Sequence, residues 1–155
     1  MANFVRLPLA LAVLVGTAAH ASVPPPLIYY TYRAGMDCML SASKNGASRE
    51  SFQGSETWIA SPEGDRFNHG TLPIAVTFPP DKDGVTRICV VESALDTAAD
   101  QQQLENSFSK ALGRGVKQTD SSIWMKKSGT VTRGLQFFPD TKSDQPKVRI
   151  IGAAF

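Results

Sequence analysis

Only two cysteines and two histidines occur among the 155 residues. A zinc site needs three or four His, Cys or carboxylate ligands grouped together, and so sparse a set supplies no zinc motif. Cys38 and Cys89 stand 51 positions apart, which excludes the closely spaced C-x-x-C arrangement of a redox pair. No apolar run reaches the roughly 20 residues needed to cross a membrane. Charge of neither sign dominates, with 16 Lys and Arg against 14 Asp and Glu. The concentrated basic surface that nucleic acid or an anionic membrane requires is therefore missing, and neither is expected as a partner. A phosphate loop is missing too. Gly113-Arg114-Gly115 lacks the later glycine and the preceding strand of a dinucleotide site, and suits a helix exit instead. Asp81, Asp83 and Gly84 match only a fragment of a calcium loop, whose twelfth position would fall on Glu92 inside an expected strand. No cofactor is expected.

What is present begins with the first 21 residues. Arg6 and the amino terminus supply positive charge, Leu7–Val15 an apolar run, and Ala19-His20-Ala21 small side chains at alternate positions. That order is the secretory signal pattern, with cleavage expected after Ala21 and export to the periplasm or the medium. Residues 22–27, "SVPPPL", read as an extended leader, because three prolines fix their own backbone angles and remove hydrogen-bond donors. Residues 28–155 then form one domain, a length sufficient to bury its own core. In an oxidising compartment Cys38 and Cys89 are expected to pair. Closing that loop stabilises a fold by about 4 kcal/mol on the chain-entropy account.

Periodicity supplies the elements. Residues 28–36 are rich in aromatic and branched side chains, which suits a strand as well as a helix. Tyr30, Ala34, Cys38 and Ala42 recur every four residues, however, and the length favours a helix through most of 28–44. Strands are expected at 56–60, 72–78 and 85–93, the last two joined as a hairpin by the turn "PPDKDG". A second helix is predicted where Leu104, Phe108, Ala111 and Leu112 share a face, with Thr97 and Asp100 as a capping box and Gly113 at the exit. Another hairpin is expected from 121–127 and 130–138 around Ser128-Gly129, and a last strand closes the chain at 148–155. The "GDRFNHGTLP" stretch reads as a loop. The order points to an α+β domain: a mainly antiparallel sheet, two helices on one face, and one disulfide tying helix to sheet.

Three groups of residues could carry function. Ser41-x-x-Lys44 and Lys127-Ser128-Gly129 resemble the S-x-x-K and K-[ST]-G motifs of the penicillin-binding proteins and serine β-lactamases. The resemblance implies a serine nucleophile assisted by a lysine one helical turn on. It covers seven positions, the intermediate S-[DEY]-N motif is absent, and that fold needs a much longer chain. His69, the single histidine after Ala21, could act as a general base in its loop, drawing on nearby Asp65 or on a partner elsewhere in the chain. On the second hairpin, Trp124, Lys126 and Phe138 are expected to point together, away from Met125, Val131, Leu135 and Phe137, making an exposed aromatic and cationic binding face. The expectation is a small exported domain that acts by binding, with a protein in the envelope or outside the cell as its partner. The alternative is a small hydrolase using Ser41 and Lys44 or His69.

Overall fold

The computed structural model describes residues 25–140 and 145–155. The expected signal segment, 1–21, lies outside them. Helix α1 (Pro26–Ser41) is followed by strands β1 (Trp58–Ala60), β2 (Arg66–His69), β3 (Ile74–Thr77) and β4 (Cys89–Ala94). Helix α2 (Ala98–Leu112) is followed by β5 (Val116–Lys117), β6 (Ser122–Ser128), β7 (Val131–Asp140) and β8 (Lys147–Ala154). All eight strands make one antiparallel sheet in the order β1-β2-β3-β4-β8-β7-β6-β5. Each half is thus a helix and a four-stranded meander, and the halves join through β4 and β8. This is the α+β domain that periodicity predicted.

Helix α1 starts inside the expected proline leader, since Pro26 and Leu27 are already helical. Proline suits the first helical turn, where its missing N–H has no intrahelical partner. The helix ends at Ser41 rather than near 44, because Ala42 turns to extended backbone with ψ 136°. Strand β2 occupies part of the stretch expected to be a loop. It is four residues long with Phe67 as its one buried side chain, too short for alternation to register. Helix α2 has the predicted capping box between Thr97 and Asp100, and its exit at Gly113 has φ 89°.

Both helices lie on one face of the sheet, α1 over β8, β4 and β7 and α2 over β6 and against α1. Two glycines set how closely they lie. A Cβ on Gly152 would stand 2.5 Å from the Cys38 carbonyl oxygen, so the α1 backbone rests directly on β8. A Cβ on Gly35 would stand 2.8 Å from the Phe108 ring, so the helices cross with a ring of α2 against the bare backbone of α1. Phe108, Trp124, Leu135, Phe137 and Ile150 fill the space beneath. Each such side chain contributes about 1.5–3 kcal/mol by leaving water. Phe52, from the loop after α1, packs against Phe67, Phe78 and Trp58 at the other end.

Directional ties complete the layer. The Cys38–Cys89 disulfide joins α1 to β4 across a Cα separation of 5.3 Å. The Thr31 and Ser93 hydroxyls share a buried hydrogen bond of 2.9 Å between the same elements. The Gln101 side-chain amide donates to the Asp140 and Lys147 carbonyls at 3.2 and 3.0 Å, so α2 clips the ends of β7 and β8 together. Glu105, almost fully buried on α2, accepts from Ser122 of β6 and Lys117 of β5. Burial works to raise its pKa, but those two bonds and the lysine charge outweigh it, leaving the carboxyl below its ordinary value. Among the described residues no helix is long and apolar enough to cross a membrane.

Candidate functional site

The hairpin face expected to bind does not form. Gly129 and Thr130 are the whole loop between β6 and β7, so each even-numbered residue of β6 opposes an odd-numbered residue of β7. Trp124 therefore pairs with Leu135, on the helix side, and is 2% exposed with its ring centroid 5.7 Å from that of Phe108. Lys126 shares that side but lies beyond the helices, in solvent. Phe138 points the opposite way, opposite Arg149 on the uncovered face. The error was one of register: a shift of one residue in pairing exchanges the two faces.

Ser41 and Lys44 are not one helical turn apart, because α1 stops between them. Ser41 is buried and its carbonyl accepts from the Ser48 amide. Lys44 is exposed and lines a shallow depression of about 300 Å³ with Thr130, at the turn carrying Lys127-Ser128-Gly129, but Ser41 does not line it. His69 is committed to holding its own loop. Its Nδ1 accepts from the Thr71 and Leu72 amides at 3.2 and 3.1 Å, and its ring packs edge-on against Tyr30 and Trp58. Burial pushes its pKa below the ordinary value, favouring the neutral ring that this acceptor role requires. Asp65 instead accepts from Ser61. Among the described residues no three His, Cys, Asp or Glu side chains are grouped so as to hold a metal ion.

The face away from the helices carries a different constellation. Alternation along β4 turns Cys89, Val91 and Ser93 to the helices and Val90, Glu92 and Ala94 away from them. Pairing then lays Ile59, Asn68, Ala75, Glu92, Arg149 and Phe138 in one row across six strands. Arg66 lies one row to one side, and Ala94 with Lys147 one row to the other. The small side chains of Ala75 and Ala94 leave a hollow in the middle, and the longer side chains around them wall it, giving a depression of about 660 Å³. That volume falls in the range of small-molecule sites.

Three cationic side chains, Arg66, Lys147 and Arg149, and two carboxylates, Glu92 and Asp140, line this hollow. Arg66 is held in place by its own strand: its Nε donates to Asn68 Oδ1 at 3.1 Å, leaving the two Nη groups to point elsewhere. Glu92 and Arg149 stand directly opposite each other on β4 and β8, yet form no ion pair among the described residues. Phe138, Pro139, Leu72 and Pro73 supply apolar wall. Sequence reasoning missed Arg66, Asn68, Glu92 and Arg149. The available signal was Glu92 following Val90-Val91, and Arg149 preceding Ile150-Ile151, each a charge directly beside a pair of branched apolar residues. Such a charge marks a strand with one face left open. Comparison with protein-family models, characterised proteins and solved structures finds no significant match to this chain.

Proposed function

We propose that the protein is an exported, disulfide-bonded binding module whose receptor surface is the open face of the sheet. The observation that carries this reading is the alanine-floored hollow between Arg66 and Arg149, walled by charged side chains on one layer of a rigid sheet. Side chains on paired strands are held in place more firmly than on loops, and their helix-covered reverse anchors the whole layer. The Cys38–Cys89 bridge, set between that layer and α1, supports an oxidising destination. The partner is then a small molecule seated in the hollow rather than a protein docked on an aromatic patch. Amide chemical shifts of the labelled domain, followed during titration with a library of small charged and amphipathic compounds, test this. Perturbations confined to the row from Asn68 to Phe138 are expected. Perturbation by no compound, or only on the helix side, overturns the proposal.

A further inference from the structure

Glu92 decides what kind of ligand the hollow accepts. Arg66 from β2 and Arg149 from β8 both line the hollow, three strand spacings or roughly 14 Å apart at the backbone. Arg149, beside the floor, is therefore the guanidinium suited to a carboxylate seated there. Strands β3 and β4 run between them, and β4, next to β8, presents Glu92 to the same space. A bare anion seated against Arg149 is thereby placed beside the Glu92 carboxylate, and like charges at short range repel. A ligand carrying a cationic group close beside its anionic one removes this conflict. Arg149 and Glu92 have the separation for that task, being direct cross-strand neighbours roughly 5 Å apart at the backbone. Their charges are not spent on each other. Beyond Arg149 in the same row, Phe138 offers an apolar ring to whatever body the ligand carries.

We infer that the hollow recognises a zwitterion of the α-amino-acid type, with an apolar side chain. Its carboxylate lies against Arg149, its ammonium against Glu92, and its side chain against Phe138. The inference rests on the open face being the receptor surface and names the ligand class for it.

Three matched probes test the assignment: phenylalanine, 3-phenylpropionate, which lacks the ammonium, and phenethylamine, which lacks the carboxylate. Amide shifts of the labelled, oxidised domain are followed with each. Phenylalanine is expected to perturb the Asn68-to-Phe138 row and to bind at least about tenfold more tightly than either truncated probe, the effect of one charge-assisted bond. Arg149→Gln is expected to weaken phenylalanine by a similar factor. Glu92→Gln is expected to abolish the preference for phenylalanine over 3-phenylpropionate. Both positions are exposed, and matching thermal melts establish that the variants are folded; Phe138→Ala, which should weaken phenylalanine and phenylpropionate alike, gives an independent check on the site. Equal binding of 3-phenylpropionate and phenylalanine to the unaltered protein, or no effect of Arg149→Gln, overturns the zwitterion assignment. If other compounds still shift the same row, the receptor face stands without it. If no compound shifts that row, both readings fall.

Discussion

His69 shows how one side chain can be chemically suggestive in a sequence and structurally occupied in a fold. Its Nδ1 must be unprotonated to accept two backbone amides. Its pKa lies below the ordinary 6.5 because burial disfavours the charged ring. The unfolded chain therefore takes up a proton first as the pH falls, so this contribution to stability is present above 6.5 and declines below it. Denaturation midpoints measured at about pH 7.5 and about pH 5.5 are expected to differ by less in His69→Asn than in the unaltered protein. Asn keeps an acceptor near the same place and does not titrate. An equal pH response in both would remove His69 from the account. Trp124 makes the complementary point, since a residue expected at the surface is core. Trp124→Ala is expected to cost about 3–5 kcal/mol in chemical denaturation. A variant of unchanged stability would contradict its burial.

At the scale of elements, stability depends on how closely α1 lies on the sheet. Gly152→Ala places a methyl group against the backbone of Cys38 and Met39, neither of which is a flexible side-chain tip that can swing away. A loss of about 1–3 kcal/mol is expected, read from the urea midpoint. The α2 contribution is tested by Thr97→Ala, which removes the acceptor for the Asp100 amide. About 1 kcal/mol should be lost, with the sheet unchanged by circular dichroism. Both α2 and the α1 stripe of Ala34 and Cys38 were legible in the sequence, because 15 or so helical residues repeat their apolar pattern several times. Strands β2 and β5 were not. Four and two residues give period-two alternation nothing to act on; β2 forms by pairing on both sides, with β1 and β3, and β5 by pairing with the longer β6.

The whole molecule is two helix-and-meander halves joined at β4 and β8, with the disulfide close to that seam. Cys89 pairs with Gly152 across it, so the bridge and the close approach of α1 meet at one place. Replacing both cysteines by alanine is expected to lower stability by about 2–5 kcal/mol. Free-thiol titration of the denatured, unreduced protein should find none. Two titratable thiols per chain would reject the bridge. Because the halves share the central β4–β8 pair, unfolding should be a single cooperative transition by both far-ultraviolet and tryptophan signals.

The sequence by itself determined the fold class, both helices, the two hairpins and the cysteine pair. Each of these depends on local periodicity, turn chemistry or a count. Which side of each strand faces the helices was decided only in the tertiary structure. One residue of register in the β6–β7 hairpin moved Trp124 into the core, and pairing across six strands brought Asn68, Glu92 and Arg149 into one row. Residues 68, 92 and 149 are separated by long stretches of chain, and no local pattern connects them. Hydrogen-bond registry between strands distant in sequence is what makes them neighbours, and that registry belongs to the assembled sheet.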